Sequence, residues 1–425
     1  MTTKTECGCE DYARSTASRR TFLKGLGTVA AGATMATMHG TVFRQVAFAS
    51  TPTADNILIV LSLRGGVDGM SLVVPYGDPF YASSRPKIAI PPSSLLATDG
   101  MFGLHPQFNP LLPMWKSGQM AAVQAVGLPQ PNRSHFSAIE VVEEADPGST
   151  ARVGWLNRMV SLTAPDSLIG AVQIGTSVPS TQIYGPQPTI ETTDVSKVAL
   201  VGPPNAMPQR RASLNAMWQG VDDELGNGAR DAMQVDGVWA PVLTQSPNPQ
   251  NGANYPISDI GDALAQTARL LRADVGAEVV TVDYGSWDMH TDLGTLAWGD
   301  MQDMVSIMSQ SVSAFFTDIG STLAAKVTVV TISEFGRCVM ENGNVGLDHG
   351  YGNTMLLFGA GVRGGQVYGT WPGLAPANQV GGDLQVTTDY RSVLWEVVNT
   401  RFPAATLSQV FPNFSPETVG VMRGA

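Results

Sequence analysis

Apolar residues along this chain fall into short continuous blocks, each closed by a polar or glycine-rich cluster. Residues 56–63 (NILIVLSL), 119–127 (QMAAVQAVG), 169–174, 275–282 and 326–332 are nearly unbroken runs of Val, Ile, Leu and Ala. Runs of this length and β-branched content read as strands buried on both faces, as in a parallel sheet. Between them the period changes. Ile260, Leu264, Ala268 and Leu271 recur at helical spacing across 257–273, and 301–325 reads as a long amphipathic helix. Shorter helices are expected over 109–116, 136–144, 154–160 and 386–399, the last beginning near Thr388-Asp389, and a further strand over 354–359. Strands alternating with helices predict an α/β fold around a central, mostly parallel sheet. Residues 175–254 break the pattern: they are polar, Pro/Ala/Gln-rich and without strand alternation, with one helix expected within 213–230. They read as a loop-rich insertion or cap.

The polar clusters at the strand ends carry the candidate chemistry. After the first strand comes RGGVDGMS (64–71), where the glycines allow a sharp turn and no Gly-Lys-Ser/Thr follows to make a phosphate P-loop. Asp68 there reads equally as a metal carboxylate or an Asx-turn residue. The second strand runs into LPQPNRSHF (128–136), which places Ser134 at a helix start with Arg133 and His135 beside it. A helix N-terminus stabilises anions, including a deprotonated hydroxyl or a bound phosphate, so Ser134 is a candidate nucleophile; a plain N-cap fits it as well. After the strand over 275–282, Asp288 and His290 lie two residues apart on an extended segment and point the same way, a pairing suited to a zinc-type ion. The strand over 326–332 ends at Ser333-Glu334, and Asp348-His349 follows a short loop later. Ligands of open α/β sheets collect past the carboxyl ends of the strands, and right-handed crossovers would bring these clusters to one edge. His105, in Gly-Leu-His-Pro, reads as a structural or supporting histidine rather than a ligand.

Charge and cysteine content narrow the class. The chain has 25 basic and 36 acidic residues; the first 49 carry six basic and three acidic, leaving 19 against 33. So acidic a body argues against a nucleic-acid partner. Ser18-Arg19-Arg20-Thr21-Phe22-Leu23-Lys24, an Ala/Gly-rich apolar segment and Ala47-Phe48-Ala49 form a twin-arginine export signal over residues 1–49, which predicts passage through the Tat translocase to the periplasm or beyond. The apolar segment is shorter than the roughly 20 residues of a membrane span. Residues 50–425 then form the folded domain. Cys338 is the one cysteine of that body, so no internal disulfide is available, and a small semi-buried role suits it better than a nucleophilic one.

Taken together, RGGVDG (64–69), GLHP (103–106), RSHF (133–136), GSWDMH (285–290), SEFGR (333–337) and LDHGYGN (347–353) resemble the DUF1501 family, exported bacterial proteins of undetermined function. That family is similar in organisation to the alkaline phosphatase/sulfatase superfamily. The resemblance implies an alkaline-phosphatase-like sheet holding one or two divalent metals, zinc or similar. Asp68, Asp288, His290, Glu334, Asp348 and His349 would be the metal residues, and Ser134 would attack a phosphate or sulfate ester. Arg133 or Arg337 would hold the ester oxygens and His135 would shuttle a proton. In two places the sequence departs from the superfamily pattern: Glu334 is followed by Phe335 where a histidine is usual, and Ser134 is followed by His135 rather than a small residue. The rival expectation is a non-catalytic exported protein that keeps the fold and acts with a DUF1800-type protein partner.

Overall fold

The computed structural model describes residues 53–176 and 178–424, so the export signal expected over residues 1–49 lies outside the described residues. Its elements run β1 (Ile57–Leu63), β2 (Met120–Gly127), α1 (His135–Glu144), α2 (Trp155–Thr163), β3 (Ala171–Ile174), β4 (Thr189–Thr192), α3 (Met207–Trp218), α4 (Glu224–Val238), α5 (Asp259–Arg272), β5 (Val279–Tyr284), α6 (Asp300–Ala324), β6 (Val327–Ile332), β7 (Asn353–Gly359), β8 (Val367–Tyr368), β9 (Thr388–Asp389) and α7 (Tyr390–Arg401). The nine strands make one sheet in the order β8-β2-β7-β6-β1-β5-β3-β4, with β9 also on β2. Every pairing is parallel except those of β7, which runs antiparallel between β2 and β6. Among the described residues no helix is long and apolar enough to cross a membrane.

The unbroken apolar runs follow from this architecture. In β1, Ile59, Leu61 and Leu63 point into the core shared with α5 and α6, and Leu58 and Val60 into the core shared with α1, α2 and α7. Alternate side chains meet helices on opposite faces, so neither set is polar. On α5, Ile260, Leu264, Ala268 and Leu271 form the buried stripe, and Ser258 caps its start by accepting from Gly261 N–H. The long helix α6 is interrupted at Gly320, whose φ of 69° leaves the helical region.

The stretch 175–254 departs from the expectation. It contains β4, a parallel edge strand in register with β3, and three α-helices rather than one, the third a short turn over Ala240–Thr244. Thr-Ile-Glu-Thr carries no apolar run to announce it. Its hydrogen bonding to β3 decides its state, a tertiary contact that overrides weak local preference. The helices that follow are tied back by Trp239, fully buried, whose Nε1–H donates to the Val195 carbonyl.

Two sequence candidates turn out to hold the fold. His105 is 2% exposed and caps a 3₁₀ turn over Pro106–Leu111, its Nδ1 accepting from Gln107 N–H at 3.1 Å. Burial pushes its pKa down to about 4. Asp68 is also buried. Its two oxygens take Arg85 Nη1 at 2.5 Å and Nη2 at 3.0 Å, and Ser71 Oγ at 2.5 Å. Arg85 in turn donates to the Val339 and Cys338 carbonyls. The carboxylate expected to hold a metal is therefore engaged by a buried guanidinium, which clamps the β1 turn to the segment after β6.

Both roles are measurable. The unfolded His105 takes a proton below about pH 6.5, while the folded one resists until about pH 4. The unfolded state therefore binds the extra proton in that window, and stability falls as pH drops through it. Urea melts at pH 7 and pH 4.5 should show wild type losing roughly 2–3 kcal/mol more than His105→Asn, which keeps a capping side chain without the titration. Asp68→Ala leaves Arg85 buried and unpaired, and should cost about 3–5 kcal/mol in the same assay. A cost under about 1 kcal/mol would return Asp68 to the exposed, weakly paired class.

Candidate metal centre

The parallel strands point their carboxyl ends to one edge, and the loops that leave them meet there. β7 completes the set because it runs the other way. Its amino end lies on that same edge, so the loop that feeds it, with Asp348 and His349, arrives beside the others. The described residues contain four histidines, and three of them come together at this point.

Four donor atoms converge. His349 Nε2 lies 2.9 Å from His135 Nε2 and 3.0 Å from His290 Nε2. Asp288 Oδ1 lies 3.1 Å from His349 Nε2, 3.1 Å from His290 Nε2 and 3.5 Å from His135 Nε2. A tetrahedral ion with bonds of about 2.0–2.1 Å spaces its donors by about 3.3–3.4 Å. The spacing, and a set of three imidazoles with one carboxylate, fits a zinc-type divalent ion. Among the described residues, His135, Asp288 and His349 form a group that could hold a metal ion, and His290 Nε2 lies beside it, 3.0 Å from His349 Nε2.

The other ring nitrogen of each imidazole is held from behind. His135 Nδ1–H donates to Glu334 Oε1 at 2.7 Å, His290 Nδ1–H to Asp348 Oδ1 at 2.8 Å, and His349 Nδ1–H to the Arg133 carbonyl at 2.9 Å. With the proton fixed on Nδ1, each Nε2 turns a lone pair to the common centre, the arrangement that orients metal-binding histidines. The phenyl ring of Phe335 packs 4.8 Å from both the His135 and His349 rings, so the residue in the place of the usual histidine is an apolar wall against two ligand imidazoles.

The surrounding carboxylates favour a positive charge at this point, whether proton or metal. For His135, burial works against the charged form, but hydrogen bonds to Asp288 and Glu334 outweigh it and push the pKa up to about 9. The Asp288 hydrogen bond raises His290, against burial and with help from Asp348. Burial alone would raise Asp288, yet the three histidines and the Arg337 guanidinium drive it far below the usual carboxylate range. Glu334 is likewise lowered: burial opposes its charge, and His135 and backbone N–H donors, including Gly65, overcome it. Protons and a metal compete for the same lone pairs, so metal affinity must fall with pH.

The sequence candidates thus divide. Asp288, His290 and His349 come together, as does His135, which the sequence offers as a proton shuttle. Glu334 and Asp348 stand behind histidines: Glu334 Oε1 accepts from His135 and from Gly65 N–H, and Asp348 Oδ1 from His290. Asp68 is held by Arg85 away from the cluster. Arg337 does not face an ester. It is 1% exposed and donates to the Gly65, Gly66, Trp287 and Leu347 carbonyls and to Asp288 Oδ1 at 2.8 Å. It fixes the β1 turn and one ligand carboxylate. Arg133 binds Asp383 through Nε and Nη2. Asp383 drew no attention in the sequence, being a lone carboxylate after two glycines and 250 residues from Arg133. Ser134 occupies the N-cap position of α1, yet its side chain makes no capping hydrogen bond; its backbone N–H donates to Asn132 Oδ1.

No curated protein matches this chain. Among solved structures, the C-terminal periplasmic domain of EcEptC from Escherichia coli, in complex with Zn, is similar at 10% identity over 86% of this chain and 89% of that one, with a TM-score of 0.32. A likeness so loose carries no assignment of fold or activity. The sequence does match the family described as "Protein of unknown function (DUF1501)" over residues 101–389, more than half of its length, and the chain belongs to that family.

Proposed function

We propose that this protein is an exported, metal-dependent hydrolase of phosphate or sulfate esters, with one zinc-type ion and Ser134 as nucleophile. The observation that supports this reading most is the setting of Ser134. The residue before it offers its carbonyl to ligand His349, and the residue after it is ligand His135. Its hydroxyl starts a ten-residue helix without capping it. A divalent ion at the four donors would lower the pKa of the attacking hydroxyl and neutralise charge on the transferring group.

The chain's own groups supply the rest. Ser134 Oγ, its proton passed to water, would attack the phosphorus or sulfur as the bond to the ester oxygen breaks and that oxygen leaves with a proton from water; a second water would then displace Ser134 Oγ and release phosphate or sulfate. The first-turn N–H groups of α1 and its dipole favour the negative charge of the transferring oxygens. Arg133, at the same helix start, is held on Asp383 and shapes the loop. A count of one ion follows from Asp68 and Glu334 being engaged by Arg85 and His135. Passage through the Tat translocase as a folded chain accords with a cofactor loaded beforehand.

One feature favours a second reading. Were His290 to join His135, Asp288 and His349, protein donors alone would fill a tetrahedron, as in structural zinc sites. On that reading the protein is a non-catalytic exported binding or assembly protein, with a DUF1800-type partner. Elemental analysis of the mature protein should find one divalent ion per chain, and Asp288→Ala should lose it. Purified protein free of divalent metal, with a Tm indifferent to chelators, would sink both readings. Given metal, wild type should turn over at least one of a panel of aryl phosphates, phosphodiesters and sulfates, and Ser134→Ala should lose roughly 10³-fold or more. Equal turnover in the two removes Ser134 as nucleophile. A metal-loaded wild type inert on the whole panel favours the structural ion.

A further inference from the structure

We infer that Asp383 is a positioning residue for the metal centre, setting the orientation of His349 and the path of the loop that carries Ser134. The inference rests on reading the four donors as a metal site.

Asp383 closes a ring of contacts through three separate segments of the chain. Its side chain is 1% exposed. Oδ2 accepts from Arg133 Nε at 3.1 Å and from Arg133 Nη2. The carbonyl of the same Arg133 accepts from His349 Nδ1–H at 2.9 Å. The carbonyl of His349 lies 3.2 Å from Cys338 Sγ, and that thiol lies 3.3 Å from Asp383 Oδ1. Backbone pairing of Cys338 with Asp383, and of Arg337 with His349, locks the segments side by side.

The consequence is specific to one ligand. His135 and His290 are held by side-chain carboxylates, Glu334 and Asp348. His349 has instead a main-chain carbonyl on a loop between β2 and α1. A carbonyl can aim an imidazole only as well as its own loop is fixed, and the Arg133–Asp383 pair supplies that anchor. The same anchor holds Ser134, one residue on. Asp383 therefore stands behind both the third imidazole and the candidate nucleophile while touching neither, the kind of supporting contact on which the precision of a site depends.

Cobalt(II) tests this without a substrate, because its visible absorption reports ligand geometry. Metal-free full-length mature protein is titrated with Co²⁺ as wild type, Asp383→Asn and Arg133→Met, with Tm recorded for each. Arg133 is 39% exposed, so its replacement breaks the same bond with little risk to folding. The expected result is a Co²⁺ affinity lower by about 10–100-fold in both variants, with an altered absorption band in the bound form. A variant that folds and binds Co²⁺ with wild-type affinity and spectrum overturns the inference, as does a lowered Tm with an unchanged spectrum and affinity. If Asp383→Asn fails to fold, Arg133→Met alone decides. Wild type that binds no Co²⁺ overturns the metal reading itself, an outcome separate from a variant-specific defect.

Discussion

The imidazole nitrogens of His135 and His290 each sit about 3 Å from that of His349, beside a carboxylate oxygen. Such crowding is favourable only with a proton or a metal ion shared among the groups, and the opposite nitrogen of every ring is hydrogen-bonded to an acceptor. Glu334, Asp348 and the Arg133 carbonyl thereby choose the tautomer, and the tautomer creates the demand for a cation. The centre is a fixed feature of the fold: each of those acceptors is held in turn. Glu334 is held by the β1 turn through Gly65, Asp348 by Asn342, and Arg133 by Asp383.

The sheet makes this possible through its one reversed strand. A wholly parallel arrangement would deliver four loops to the carboxyl edge and leave the segment before β7 at the far side. Because β7 is antiparallel, its approach loop crosses the carboxyl edge and brings His349 to the cluster, with Asp348, the partner of His290. Arg337 then stitches that late loop to the earliest one, bonding Leu347 on one side and Gly65 and Gly66 on the other. The site is assembled from segments up to 272 residues apart, and the buried guanidinium is what makes them one surface.

Some of this was open to reading in the sequence and some was not, for physical reasons. The strand runs, the helical stripe of α5 and the pairing of Asp288 with His290 depend on local spacing, which the chain displays directly. The choice between ligand and support does not. Glu334 and Asp348 beside histidines look the same in a sequence whether they bind the ion or the back of the ring. Asp68 reads as a ligand until Arg85, seventeen residues on, is seen to fill both of its oxygens. Arg337, next to Glu334-Phe335-Gly336, looked like an oxyanion clamp because a cation near a site suggests an anion; its true partners are mostly backbone carbonyls, which leave no mark on composition. His135 follows the candidate nucleophile, where a proton shuttle is the familiar expectation, and the helix start turns its ring toward Glu334, His349 and Asp288, contacts that local spacing does not display.

The donors are not equivalent, and the difference bears on whether the centre can do chemistry. The three histidines are mostly buried, and each is fixed by a bond to its far nitrogen. Asp288 is 44% exposed at its side chain, lies on a loop, and shares its charge with the Arg337 guanidinium. An oxygen whose charge is already shared is a weaker ligand than a free carboxylate, and an exposed one can be displaced or joined by an incoming oxygen at little steric cost. A buried structural site would be expected to protect its weakest donor. Here the weakest donor faces solvent, on the edge where α1 begins and Ser134 sits. That asymmetry leaves room for an incoming oxygen at the carboxylate, which a closed structural site would not.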